Sequence, residues 1–76
     1  MKDLISFIAT RLVDEPEEVH TEQHEEEGTV TVELRVAKDD LGKVIGKQGR
    51  TARAMRTVLA AMAAKEDRRS RLEIVE

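Results

Sequence analysis

The chain has 76 residues, of which 39% are hydrophobic and 38% are charged, with no cysteine and a single aromatic residue. A chain of this size and composition folds as one domain with a small core, which excludes a disordered tail, a disulfide framework and a thiolate metal site. The net charge of −3 is unevenly distributed, because residues 1–40 carry four basic and twelve acidic side chains while residues 41–76 carry nine and four. This bias indicates either one face suited to a polyanion or a solvated surface without function.

The first predicted element is an amphipathic helix over residues 2–13, which ends before Pro16. Its apolar positions recur at helical spacing and are Leu4, Ile5, Ile8 and Leu12. Asp3 and Arg11 interrupt the apolar stretch, which therefore suits neither a signal peptide nor a membrane span. We expect a cytoplasmic protein that does not associate with membranes.

A β-hairpin follows this helix. Residues 19–25 are a weak strand candidate, residues 26–28 form a turn, and residues 29–36 alternate between apolar and polar side chains. The apolar face of the second strand consists of Val30, Val32, Leu34 and Val36. The alternation predicts a strand with one buried face.

Two helices separated by a glycine loop come next. Asp39 or Asp40 is suited to cap a short helix over residues 41–45, and a longer helix is predicted over residues 50–65. The face of the longer helix that we expect in the core carries Ala52, Met55, Leu59 and Met62. A stripe turned largely away from that face carries Arg50, Arg53 and Arg56. Alternation over residues 71–75 then predicts a last strand.

The predicted order is helix, strand, strand, helix, helix, strand. This order indicates an α+β fold in which a single three-stranded sheet has its helices packed on one face. We expect residues 1–76 to form one domain.

Residues 44–50 read VIGKQGR and contain two glycines three positions apart, without room for an ordinary turn between the helices. Glycine tolerates positive φ and lacks a Cβ, so the loop can press its N–H groups against phosphates beside the start of the next helix. Lys47 and Arg50 add full positive charges. A bare GxxG is more often a simple helix connection, but the preceding Val-Ile pair, the basic residues and the element order together favour phosphate recognition.

This segment resembles the VIGxxGxxIxxI signature of the KH family of RNA-binding domains. Two strands precede the glycine loop and one follows it, which is similar to the type II KH arrangement. The resemblance covers nearly the whole chain and extends to the short stand-alone KH proteins of bacteria. Ala52 departs from the signature, where a larger aliphatic residue is usual, so the packing beneath the loop is expected to be looser or filled from elsewhere.

The resemblance implies that the GKQG loop, residues 46–49, clamps the backbone of about four nucleotides of single-stranded RNA. It assigns close backbone approach to the two glycines, contact with the sugar-phosphate chain to Lys47 and Gln48, and phosphate pairing to the arginines that follow. The bases would lie in a groove formed by Val44, Ile45 and the strand over residues 30–36. The RNA-binding residues expected on this basis are Lys43, Val44, Ile45, Gly46, Lys47, Gln48, Gly49, Arg50 and Arg53.

The resemblance also implies a role in post-transcriptional regulation or as an RNA chaperone, with a link to cell elongation. It implies a homodimer or a heterodimer with a second KH-domain protein. A strip of small and aliphatic residues on the last helix is a candidate two-fold interface, or simply the rim of the core, and consists of Ala54, Val58 and Ala61.

We expect no enzyme, no cofactor and no metal site. The sequence lacks a Walker A pattern, and no nucleophile, base and acid stand out together. His20 and His24 lie in a strand-like segment in which four residues span roughly 13 Å, too far for chelation. Two alternatives to RNA binding stay open, namely a protein-interaction adaptor with a vestigial glycine loop and a single-stranded DNA binder, because phosphate contacts do not sense the 2′-hydroxyl.

Overall fold

The computed structural model describes residues 1–76 and has the predicted order of elements. The helices and strands are α1 (Lys2–Leu12), β1 (His20–Glu26), β2 (Thr29–Arg35), α2 (Leu41–Ile45), α3 (Arg50–Ala64) and β3 (Arg69–Val75). Single 3-10 turns at Pro16–Glu18, Lys38–Asp40 and Lys47–Gly49 join them. The α+β prediction is confirmed, and each predicted boundary lies within about two residues of the observed one, which is the usual uncertainty of helix and strand ends.

The sheet has β2 at its centre, antiparallel to β1 and parallel to β3. Glu27 and Gly28 close the β1–β2 hairpin, both at positive φ. The connection from β2 to β3 contains α2, the GKQG loop and α3, because parallel strands need a long crossover. Strand β3 pairs only with β2 and lies against α3, so its other edge remains open beside that helix.

The core lies between the sheet and the three helices. The apolar side chains of β2 are buried while Thr29, Thr31 and Glu33 face the other side, which confirms the predicted alternation. The core cluster comprises Ile5, Ala9, Val30, Val32, Leu34, Val36, Val44, Met55, Leu59 and Leu72. Full burial of one such large side chain contributes about 1.5–3 kcal/mol of hydrophobic stabilisation, so this cluster holds the helices on one face of the sheet.

Two of the predicted core positions are wrong. Met62 is only partly buried and Ala63 is buried instead. At 3.6 residues per turn, Ala63 returns to nearly the same angle as Ala52, whereas Met62 is turned about 80° away. Leu12 is 40% exposed because it is the last residue of α1, and Ala9, one turn earlier, fills the core in its place.

The predicted carboxylate cap of α2 is also absent. Asp40 occupies the N-cap position but has helical backbone angles, φ −98° and ψ −4°, and makes no side-chain cap hydrogen bond. A capping side chain normally requires an extended backbone at that position. The Asp40 carboxylate instead accepts hydrogen bonds from the backbone N–H groups of Asp14 and Glu15.

Ala52 is 3% exposed, so neighbouring side chains cover the position where the KH signature usually has a larger residue. No helix of the protein is both long enough and apolar enough to cross a membrane.

Candidate nucleic-acid interface

The GKQG loop has a backbone that only glycine can adopt at its first position. Gly46 has φ 78° and ψ 169°, a region populated essentially by glycine alone. A Cβ at Gly46 would lie 2.7 Å from the Cβ of Thr51 and 2.9 Å from its backbone nitrogen. Gly49 is left-handed, with φ 73° and ψ 14°, but has open space around it. Gly46 is therefore required by both conformation and space, and Gly49 by conformation.

Internal hydrogen bonds hold the loop in one tight turn. The N–H of Gly49 donates to the carbonyl of Gly46 at 3.0 Å, and the N–H of Gly46 donates to the carbonyl of Gly42 at 2.9 Å. Gln48 is left-handed although it is not glycine, with φ 57° and ψ 26°. The side chains of Lys47 and Gln48 are exposed at the tip of this turn.

Helix α3 starts directly after the loop without a side-chain cap or an acidic residue in its first turn. The first N–H groups of a helix have no partner within the helix and carry a partial positive charge. The N–H of Arg50 donates to the carbonyl of Lys47, so the anion-binding character of this helix start comes from its partial positive charge and from the N–H groups that follow Arg50.

Four basic side chains, one in the loop and three on α3, surround this helix start. Each is exposed and none takes part in a salt bridge; they are Lys47, Arg50, Arg53 and Arg56. The Arg50 guanidinium donates to the Oε1 of Gln48 at 3.1 Å, which keeps it against the loop. Their charges are free to interact with a polyanion.

Lys43 is differently placed from the other predicted contacts. Its Nζ lies 3.0 Å from Oδ2 of Asp14 and 3.7 Å from Oδ1 of Asp40. The hydrogen bond that Lys43 donates to the Asp14 carboxylate, together with the charge of that carboxylate, raises the pKa of Lys43. Lys43 therefore forms salt bridges with two carboxylates, unlike the unpaired cations at the loop.

The groove predicted along β2 is wrong. Val30, Val32 and Leu34 are completely buried beneath the helices and cannot contact a base. Val44 is also completely buried, so its side chain supports the loop from below. Ile45 is 40% exposed and is the one member of the Val-Ile pair that a ligand can reach.

The structure has instead a cleft between α3 and the open edge of β3. Its volume is about 360 Å³, and its lining consists of Arg56, Leu59, Ala60, Ser70, Arg71 and Leu72. Leu59 and Leu72 are buried beneath it, while Ala60 and the two arginines are exposed. Sequence reasoning missed this cleft because α3 and β3 are brought together only by the parallel crossover. The stripe of arginines on α3, which ends at Arg56, was the available signal.

The opposite face of the sheet has a different character. Three glutamates stand side by side across the three strands, since Glu22 pairs with Glu33 and Glu33 with Glu73. His20 and His24 lie exposed on β1, with Nε2 of His24 3.8 Å from Oε2 of Glu22. The residues are not arranged so that three histidine, aspartate or glutamate side chains could hold one metal ion. The free cations and the glutamate row therefore lie on different faces.

A mixed three-stranded sheet with its helices on one face, and a GxxG loop between α2 and α3, defines a type II KH domain. Residues 2–74 match the family model described as KhpA/KhpB, KH domain. The chain belongs to this family, so the resemblance to the KH family and to its stand-alone bacterial members is confirmed.

Full-length relatives support the assignment. The chain is 50% identical over 76 residues to RNA-binding protein KhpA of Halalkalibacterium halodurans, covering 100% of both chains. It is 46% identical over 76 residues to RNA-binding protein KhpA of Chlamydia trachomatis, covering 100% of this chain and 97% of the relative. It is 49% identical over 75 residues to RNA-binding protein KhpA of Clostridium perfringens, covering 99% of this chain and 100% of the relative. No solved structure matches the chain.

Proposed function

We propose that this protein is a non-enzymatic module that binds single-stranded RNA. The GKQG loop holds the sugar-phosphate backbone, and the cleft between α3 and β3 receives the bases. The observation that carries the proposal is the set of unpaired cations, Lys47, Arg50 and Arg53, beside the glycine loop and the uncapped start of α3. Full-length relatives named RNA-binding protein KhpA give it independent support.

Phosphate contacts supply most of the affinity in this proposal. The three cations neutralise about three phosphates, and each neutralised phosphate releases counterions. Such contacts position the nucleic acid but do not distinguish its sequence.

Base contacts supply a weaker selectivity. The cleft contains no aromatic side chain, and the only aromatic residue, Phe7, lies on α1. Bases would therefore pack against Ala60 and the stem of Arg56, which are exposed above the buried Leu59 and Leu72, and their edges would meet the unpaired backbone groups of β3. A cleft that is not built for aromatic stacking is consistent with KH-type recognition of splayed bases.

The proposal is tested by replacing Lys47 and Gln48 together with Asp while keeping both glycines. The two carboxylates then occupy the position of the RNA phosphates, so we expect fluorescence anisotropy to show no binding of a labelled single-stranded RNA. The melting temperature should stay unchanged, because the backbone of the loop retains its glycines.

A matched control places the same change of charge at the far end of α3. Ala64 and Lys65 are both exposed, and their joint replacement by Asp alters the net charge equally about 20 Å from the loop. This control should keep RNA binding. Binding by the loop variant that equals wild type would favour the adaptor function, and equal affinity for a DNA oligonucleotide of the same sequence would favour the single-stranded DNA alternative.

We also propose that useful affinity requires a second KH unit, in a homodimer or with a partner KH-domain protein. One module with few phosphate contacts binds weakly, and pairing raises the effective concentration. Val58 is 40% exposed on α3, with Ala54 and Ala61 exposed beside it. If this strip is the two-fold interface, Val58→Glu should convert a dimer into a folded monomer in sedimentation experiments. A wild-type protein that is monomeric at high concentration would contradict self-association.

Post-transcriptional regulation, RNA chaperoning, cytoplasmic location and a link to cell elongation stay predictions.

A further inference from the structure

Asp40 is a charged side chain buried in the protein, with 2% of its surface exposed. Its Oδ1 accepts the N–H of Asp14 at 3.2 Å, and its Oδ2 accepts the N–H of Glu15 at 3.1 Å. Lys43 provides the opposite charge at 3.7 Å. A buried carboxylate is tolerated only when it is hydrogen-bonded and neutralised, and both conditions are met here.

These contacts join two parts of the chain that are distant in sequence. The segment at residues 14–15 follows α1, which is anchored in the core by Ile5 and Ala9. Asp40 immediately precedes α2, and α2 leads directly into Gly46. The carboxylate therefore links the end of α1 to the start of the short helix that carries the GKQG loop.

Helix α2 needs such a link because it has five residues and no side-chain cap. An isolated helix of that length is not stable in water, so tertiary contacts must set its position. Val44 anchors its inner face in the core, and Asp40 fixes its first turn. Together they determine where the loop stands relative to the cations of α3.

We propose that Asp40 is a positioning residue for RNA binding, which holds α2 so that the loop N–H groups and the cations of α3 meet the same stretch of backbone. The inference rests on the proposed function. It reassigns Lys43 from RNA contact to the counter-ion of Asp40 and Asp14. Asp40 itself does not touch the RNA.

The test is Asp40→Asn, studied at a temperature at which the variant is folded. The amide keeps the size of the side chain but turns one acceptor into a donor that faces a backbone N–H, and it removes the charge opposite Lys43. We expect RNA affinity to fall about tenfold, because the loop is no longer preorganised. The dependence of affinity on salt should not change, since no phosphate contact is lost.

Val30→Ala is the matched control. It destabilises the core through a cavity in β2, at the end of the strand far from α2, and should leave RNA affinity within twofold of wild type. Hydrogen exchange provides the second measurement. The amide of Gly46, bonded to the carbonyl of Gly42, should exchange faster in Asp40→Asn than in Val30→Ala.

Lys43→Met covers the case in which Asp40→Asn does not fold. It retains the aliphatic stem but leaves the Asp40 carboxylate without its counter-ion. We expect weaker RNA binding, faster exchange at Gly46 and the wild-type salt dependence. A salt dependence that becomes shallower by about 0.7 would show instead that Lys43 contacts a phosphate, and would overturn the reassignment.

Wild-type affinity in folded Asp40→Asn would overturn the positioning role. Combined with loss of binding in the Lys47→Asp, Gln48→Asp variant, that result leaves the proposed function intact. Undiminished binding by the loop variant would instead refute the function on which the positioning role rests.

Discussion

The region around the GKQG loop and the face of the sheet opposite the helices, here called the open face, differ in whether their charged side chains are paired. Around the GKQG loop, Lys47, Arg50 and Arg53 have no carboxylate within salt-bridge distance. On the sheet, each glutamate of the cross-strand row lies near a basic side chain two residues away on its own strand, in the pairs Glu22 with His24, Glu33 with Arg35 and Glu73 with Arg71. The protein therefore pairs Glu33 and Glu73 with arginines on the sheet and leaves the cations at the loop unpaired.

This difference explains how a protein of net charge −3 can suit a polyanion. At physiological ionic strength, charges interact over about 8 Å, so a ligand at the loop senses local cations much more than the total charge. The fold separates the two sets of charges, because the glutamates lie on one face of the sheet and the cations lie on α3 and its preceding loop beyond the other face. Geometry at the loop, and not overall charge, should therefore control RNA binding.

Gly46→Ala is expected to have the largest effect on stability and RNA binding, and it tests whether loop geometry controls binding. The new Cβ meets the backbone nitrogen of Thr51 at 2.9 Å, and the backbone conformation is unfavourable for any other residue. We expect a loss of at least about 2 kcal/mol in the free energy of unfolding, together with loss of RNA binding. Chemical denaturation and fluorescence anisotropy measure the two quantities.

Gly49→Ala is the internal control for that substitution. Gly49 has the left-handed conformation but no neighbour within 4 Å of an added Cβ, so the cost should be about 1 kcal/mol. RNA binding should weaken without disappearing. Equal effects of the two substitutions would contradict the steric role of Thr51.

The two glycines illustrate how much the sequence alone can predict. The GxxG spacing predicted the loop, and alternation and helical spacing predicted every helix and strand, because these are local properties of the chain. The exposure of Lys47 and Arg50 also followed from their place outside the apolar stripe. The contact of Gly46 with Thr51, however, depends on the direction in which α3 leaves the loop.

Long-range contacts account for the predictions that were wrong. Asp40 does not cap α2, because the backbone N–H groups of Asp14 and Glu15 lie within reach of its carboxylate. The groove does not follow β2, because the helices cover its apolar face and the crossover leaves the edge of β3 open beside α3. Neither juxtaposition has a signature in the local sequence.

An effect of intermediate size is expected from Lys47→Ala. Loss of one phosphate contact should lower RNA affinity about fourfold at 0.15 M salt and reduce the slope of log affinity against log salt by about 0.7, from an expected wild-type slope near −2. The effect should be the same for RNAs of different sequence, because phosphate contacts do not specify bases. A salt titration of anisotropy with two unrelated oligonucleotides measures both. A large dependence on RNA sequence would show that Lys47 reads bases.

The smallest effect is expected from Glu33→Lys on the open face of the sheet. The substitution makes the net charge less negative by two and places a cation between Glu22 and Glu73, where opposite charges across strands are favourable. The side chain of Glu33 is 28% exposed, so a lysine can extend its ammonium group into water along the sheet. The variant should therefore fold normally.

If binding depended on total charge, this variant would bind RNA more tightly than wild type. The molecule is 16 Å across its shortest dimension, which is about two screening lengths at physiological ionic strength. The new charge should therefore have little influence at the loop, and we expect RNA affinity to rise less than twofold at 0.15 M salt. A several-fold increase in RNA affinity that persists in the Lys47→Asp, Gln48→Asp background would mean that RNA also binds the sheet. That result would contradict the conclusion that only the loop side of the protein binds RNA.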